Sequence, residues 1–223
     1  MKNYLRYIAI GVVGLASLLP VYGCGHSNPL KSKANEDHVV DLLNVRTTID
    51  GILSSANPSS PGSVGFVEVI LGNIPEPVEI QAVFEVGARL YDDLQIRYGP
   101  SGPLVIPRLE NDVDISPYRR DRVFVGRASN HPLIAKALSE LPDPQDQSLP
   151  GAGTGVIFAA SASTGALVII VTGTTDNDVK NAGRAFNQYD NRYGINNKFM
   201  DLNGAKIYVT GPDIGDLTTT VVK

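Results

Sequence analysis

The chain has one cysteine, three histidines and no tryptophan among its 223 residues. A single cysteine excludes an internal disulfide framework and any cysteine-rich metal site. Charged residues make up 19% of the chain and the net charge is -4, so no overall basic field draws it to nucleic acid. With 43% hydrophobic residues, 22 glycines and 15 prolines, the composition indicates a turn-rich globular protein.

The N-terminus follows the pattern of an export signal. Lys2 and Arg6 precede an apolar run at residues 8–19, which is shorter than the roughly 20 residues of a membrane-spanning helix. Cys24 follows Gly23 in the run Val-Tyr-Gly-Cys, which resembles a lipobox. The sequence predicts a lipoprotein-type signal peptide over 1–23 and lipid attachment at Cys24. The alternative is an ordinary secretory signal cleaved near Gly23, which leaves a free thiol.

The remaining chain divides by composition. Residues 24–37 are polar and predict a flexible tether. Residues 38–62 predict an N-terminal helix, over 38–53, followed by a linker with two prolines and a glycine. The main domain is then expected over 63–223.

Strand and helix patterns alternate through the main domain. They predict an α/β fold: a three-layer, Rossmann-like, mostly parallel sheet with antiparallel hairpins. On the longest predicted helix, from Pro77, Ile80 and Phe84 fall on the same apolar face as Leu90 and Leu94. Asn203 and Gly204, between residues 199–202 and 205–209, predict a two-residue hairpin turn. The expected strands are 64–71, 103–107 at an edge, 122–126, 155–160 and 166–171, and the expected helices are 77–94, 131–141 and 175–189.

Two segments that follow predicted strands are the candidates for ligand binding. Ligands bind open α/β sheets at the carboxyl ends of strands. A backbone anion site at the second segment is possible because it opens a helix, but a plain turn with capping hydroxyls is the favoured interpretation. The possible ligand crevice comprises Gly126, Ser129, Asn130, His131, Thr172, Gly173, Thr174, Thr175 and Asp176.

Chemistry-bearing patterns are sparse around these segments. Asp176 and Asp178 resemble the start of a calcium loop, but they lack its glycine and distal glutamate and are expected to cap a helix. Asn130 is expected to cap the helix that starts at His131, whose ring is expected to face solvent. No nucleophile elbow surrounds any serine. The sequence therefore predicts no catalytic residue, metal site or cofactor.

Residues 122–138, 155–157 and 166–186 together resemble archaeal surface-layer (S-layer) proteins. In that family a strand ends in glycines and the next helix begins with Asn-Pro-Leu. The first part of this chain matches at Gly126, Asn130, Pro132 and Leu133, with His131 between Asn130 and Pro132. A weaker resemblance links the same pattern to the periplasmic regulatory subunit of bacterial cellulose synthase. The resemblance implies an extracytoplasmic α/β module with a non-catalytic envelope role. The second part matches at Gly173, Asp178, Ala182 and Ala185.

These observations lead to two hypotheses. The first is a non-catalytic, lipid-anchored cell-envelope protein with a structural or interaction role, bound to the membrane through Cys24. Its partners would be other envelope proteins or further copies of itself, and no nucleic acid. The alternative is an extracytoplasmic accessory protein that binds a small ligand or a polysaccharide in the crevice, with an unrecognised enzyme less favoured.

Overall fold

The computed structural model describes residues 37–57, 65–113, 117–189, 200–212 and 216–222. The predicted signal peptide, Cys24 and nearly all of the predicted tether lie outside these residues. No helix of the described segments has the length and apolar character needed to cross a membrane.

The described residues form eight strands, four helices and one short 3-10 turn. The strands are β1 Val39–Leu43, β2 Phe66–Leu71, β3 Leu104–Leu109, β4 Arg122–Val125, β5 Thr154–Ala162, β6 Leu167–Gly173, β7 Lys206–Thr210 and β8 Thr218–Val222. The helices are α1 Val45–Ser55, α2 Pro77–Tyr98, α3 Pro132–Ser139 and α4 Asp176–Gln188, and the 3-10 turn is Glu110–Asp112.

All eight strands belong to one mixed sheet in the order β3-β2-β4-β6-β5-β7-β8. The first four strands are parallel, whereas β5 is antiparallel to both β6 and β7, and β7 to β8. β1 also pairs with β5, opposite residues 159–162, beyond the part that pairs with β7. The predicted α/β sheet with parallel central strands is therefore confirmed, as are the β5–β6 hairpin and the edge position of β3.

Helices cover both faces of the sheet. Alternate residues of a strand point to opposite faces, and those of β2 enter different clusters: Val67 and Val69 pack with α1, α2 and α4. Ile70 instead packs with Phe124 and the buried side of α3. The two apolar clusters hold the sheet between the helices and fix the carboxyl ends of β4 and β6.

The predicted helix over 38–53 is wrong in its first part. Residues 39–43 form β1, and the helix begins only at Val45, where the Asn44 side chain accepts a hydrogen bond from the Thr47 N–H. The apolar residues of this segment fit the period of a helix and also that of a strand. Pairing with β5 favours the strand. Because β1 joins the sheet, the compact unit begins at Asp37 and not near residue 63.

Helix α2 is confirmed, but its expected apolar face is too wide. Leu90 and Leu94 are buried, whereas Ile80 and Phe84 are 38% and 54% exposed. The buried stripe instead continues through Ala82 and Val86, one turn apart along the same side of the helix. Ile80 and Phe84 stand four residues apart on the solvent side.

The predicted two-residue hairpin at Asn203 and Gly204 is also wrong. These residues lead into β7, whose partners are β5 and β8. Gly204 serves packing instead, because a Cβ there would overlap Val221 Cγ1. Part of the first predicted hairpin strand lies outside the described residues.

Candidate functional site

The two crevice segments meet at the carboxyl ends of β4 and β6. β4 and β6 are parallel neighbours, with Val125 opposite Val171, so the chain leaves both strands at the same place. The Gly126 N–H donates to the Val171 carbonyl over 3.1 Å and continues this pairing by one residue. The two strands are neighbours, as the sequence-based hypothesis of a crevice requires, and ligand binding there stays a prediction.

Gly126 adopts a backbone conformation that suits glycine. Its φ angle is +151°, a region that residues with a Cβ rarely enter. A Cβ at this position would lie 3.4 Å from the His131 ring and 3.6 Å from Glu79 Oε1. The glycine therefore lets the chain turn tightly between β4 and two buried polar side chains.

Arg127 links the crevice to the helix on the other segment. Its backbone N–H donates to Glu79 Oε1 over 2.8 Å, and its Nε lies 3.4 Å from the same oxygen. The same Nε lies 2.8 Å from Asp176 Oδ1, at the first residue of α4. Glu79 is 2% exposed, and its other oxygen accepts the Glu76 N–H at the start of α2. Two carboxylates and one guanidinium thus join α2, the turn after β4 and α4.

Asp178 has a capping role, as the sequence predicts. Its Oδ2 accepts the Thr175 N–H, and the Thr175 hydroxyl accepts the Asp178 N–H, which completes a capping box. Asp178 Oδ1 accepts the Gly153 N–H over 3.0 Å. Both carboxylate oxygens of Asp178 therefore accept backbone N–H groups. Among the described residues, no group of three or more histidine, cysteine, aspartate or glutamate side chains is placed to hold a metal ion.

The crevice hydroxyls bond mostly within the protein. Ser129 Oγ lies 3.3 Å from Asn130 Oδ1, and Thr174 Oγ1 donates to the Pro150 carbonyl over 2.6 Å. Thr172 is fully buried, and its hydroxyl has no hydrogen-bond partner in the described part of the chain. A serine or threonine hydroxyl becomes a nucleophile when a base lies next to it. The contacts of the described residues give none of these hydroxyls such a base.

His131 differs from the sequence-based expectation. The ring is fully buried, not solvent-facing, because it packs edge-on against Phe124 with centroids 5.8 Å apart. His131 is itself the residue that precedes α3, so Asn130 is not the cap. The ring Nε2 lies 3.2 Å from the Ile70 carbonyl, and a carbonyl only accepts, so Nε2 carries the proton. Burial lowers the pKa of His131 to about 4, which makes the ring neutral at pH 7.

Glu110 faces the other ring nitrogen of His131. Its Oε2 lies 3.6 Å from His131 Nδ1, and both atoms are buried without a hydrogen bond within the described residues. Glu110 Oε1 accepts the Leu133 N–H over 3.2 Å, which ties the 3-10 turn to the first turn of α3. Burial raises the pKa of Glu110 above its ordinary range. His131 and Glu110 thus join β2, α3 and the turn after β3.

An open pocket of about 460 Å³ lies beside this framework. Its lining includes Ser129 and Thr174, one from each crevice segment, and Gln147 and Leu149 from the loop between α3 and β5. The loop is held by Lys206, whose buried ammonium donates to the Asp146 carbonyl over 3.0 Å. The other lining residues are Ala128, Ala135, Leu138, Ser139 and Gly173.

Sequence reasoning missed the three charged residues that organise the crevice: Glu79, Arg127 and Glu110. Glu79 had a usable local signal, because Glu76, Pro77 and Glu79 have the spacing of a helix start with a capping box. Arg127 directly follows the strand-ending glycine but carries no motif. Glu110 is separated by 21 positions from its histidine partner, so no local pattern indicates the contact.

No protein-family model matches the chain, and no curated protein matches it.

Proposed function

We propose that this chain is a non-catalytic, lipid-anchored protein of the cell envelope with a structural or interaction role, built on a Rossmann-like module similar to those of S-layer proteins. The observation that supports the proposal most directly is the use of the crevice charges. Glu79, Arg127, Asp176 and Asp178 each bond to another element of the fold. Contacts of this kind tie elements of the fold together, which supports a structural role for these charged groups.

The surface of α2 supports an interaction role. Ile80 and Phe84 lie one helical turn apart and are exposed, and Ile74 just before the helix is 82% exposed. Exposed apolar side chains that lie next to each other, as Ile80 and Phe84 do on α2, suit a contact with another protein. The proposed export and anchoring rest on the sequence pattern around Cys24, which supports a location outside the cytoplasm, attached to a membrane or cell surface.

The test is quantitative mass spectrometry of the envelope fraction of the native cell, with detection of the Cys24 peptide. We expect a chain cleaved after Gly23, a lipid mass on Cys24 and enrichment with the membrane. A Cys24→Ser variant should leave the membrane fraction, whereas the neighbouring Ser27→Ala variant should stay in it. An unmodified Cys24 still joined to residues 1–23 would overturn the anchor.

The pocket supports a second candidate, a binding protein for a neutral small ligand or glycan. Its walls combine hydroxyl and amide groups with apolar side chains, which suits a hydroxyl-rich ligand. A thermal-shift screen of sugars and oligosaccharides tests this candidate. Binding at a hundredfold excess over the dissociation constant stabilises the folded state by about 2.7 kcal/mol. A Ser129→Leu variant should abolish a shift that comes from this pocket.

A further inference from the structure

Three strands of the sheet have an open edge in the described part of the chain. β3 pairs only with β2, β1 only with β5, and β8 only with β7. An open edge presents unpaired backbone N–H and C=O groups that can pair with another strand. Proteins commonly block such edges with proline, a charged side chain or a β-bulge.

Two of the three edges are blocked in these ways. β3 contains Pro107, which cannot donate a ladder hydrogen bond, and the charged Arg108 beside it. β1 has an irregular register between Val39 and Asp41, and Asp41 is charged and exposed. Neither strand is suited to continue the sheet with another chain.

β8 has none of these blocking features. Its sequence is Thr-Thr-Thr-Val-Val, with no proline and no charge, and all five residues pair with β7 in an unbroken register. Thr218 and Thr220 are exposed. In an antiparallel ladder alternate residues direct their N–H and C=O groups to opposite sides, so β8 also presents such groups away from β7.

We propose that β8 docks onto β8 of a second copy of this chain, antiparallel, about a two-fold axis at Thr220. In this register Thr220 faces Thr220 of the other copy, and Thr218 faces Val222. The strand is self-complementary because no charge opposes another across the axis and β-branched side chains face each other throughout. A second copy therefore supplies a matching edge of equal length and the same neutral character.

A five-residue ladder forms a small interface, and interfaces of small area bind weakly. A lipid anchor confines the copies to one surface and raises their effective concentration. The strength of pairing in the cell thus rests on the proposed anchored function, but the register does not.

Cysteine cross-linking tests this register. Facing residues in an antiparallel pair have Cα atoms about 4.5–5.5 Å apart, within the roughly 4.4–6.8 Å that a disulfide spans. A Thr220→Cys variant should therefore form a disulfide-linked dimer. Thr218→Cys is the matched control, since it changes an exposed threonine on the same side of the same strand. Its two copies would be four residues apart, about 14 Å at 3.4 Å per residue, and should not cross-link.

Both variants and the parent chain are oxidised in two preparations, the purified full chain at high concentration and the native envelope fraction. The parent chain measures any dimer formed through Cys24. A dimer of Thr220→Cys with monomeric Thr218→Cys, in either preparation, supports the proposal. Equal cross-linking of both variants, no dimer in either preparation, or a cross-link to a different protein would overturn it. If the purified chain forms the dimer but the protein itself is absent from the envelope fraction, the pairing is retained and the anchored function is refuted.

Discussion

Acidification should destabilise the fold through His131. The ring is fully buried against Phe124, and its pKa falls from 6.5 to about 4 because burial disfavours the charged form. A histidine with a lowered folded-state pKa binds its proton more readily in the unfolded chain. Stability is therefore lost as the pH falls below 6.5, and the loss levels off below about 4.

The size of the effect follows from the pKa difference. Each unit corresponds to about 1.4 kcal/mol, so the full loss is about 3 kcal/mol, of which about 2 kcal/mol is present at pH 5. Three other groups face or act on the ring. The Ile70 carbonyl and the Glu79 charge raise the pKa of His131, but less than burial lowers it. Glu110 acts in the opposite direction on stability, because its own raised pKa favours protonation in the folded state.

The assay is urea unfolding of the parent chain and a His131→Gln variant at pH 7.5 and pH 5. Glutamine keeps an N–H donor for the Ile70 carbonyl but does not titrate. The parent should lose about 2 kcal/mol more than the variant between the two pH values. His38→Gln is the matched control, because it removes a histidine from an exposed position. Parallel pH profiles of the parent and His131→Gln would refute the reasoning.

Three further substitutions test the packing around the crevice. Gly72→Ala should cost about 1–3 kcal/mol in urea unfolding, because its Cβ would lie 2.5 Å from the Asn130 carbonyl oxygen; an unchanged midpoint would contradict this. Glu79→Gln should cost a similar amount, about 1–3 kcal/mol, by weakening the tie between α2 and the turn after β4, and Glu79→Asp should not restore it. Lys206→Met should leave the core packed but expose the loop at Asp146 to limited proteolysis, and cleavage at the parent rate would exclude Lys206 as its anchor.

The sequence predicts those parts of the fold that local patterns control. The β5–β6 hairpin and α4 carry their own turn and capping residues, such as Gly165 and Thr175, and both form where expected. The segment at Val39 and Leu42 has apolar residues that suit a strand or a helix. Its conformation depends on pairing with β5, more than a hundred residues away in the chain, and local reasoning cannot decide it.

The sequence predicts that the two crevice segments lie side by side, but it does not predict their contacts. Two adjacent parallel strands with glycines at their ends bring Gly126 and Gly173 to one edge, as general rules for such sheets require. The burial of His131 depends on Ile70 and Glu110, which lie far from it in sequence. The local sequence, a histidine after a polar turn, predicts an exposed side chain, and only the contacts with Ile70 and Glu110 show that the ring is buried.

The distribution of charge around the crevice restricts the ligands that it can accept. The Arg127 Nε already lies 3.4 Å from Glu79 Oε1 and 2.8 Å from Asp176 Oδ1. The described residues that line the pocket include no charged side chain, and their polar side chains are Ser129, Ser139, Gln147 and Thr174. An anion held there by these groups alone would lose hydration without gaining a cationic partner. We therefore expect a ligand of the pocket to be neutral and to bind the hydroxyl and amide groups of its wall, which favours a glycan over a phosphate.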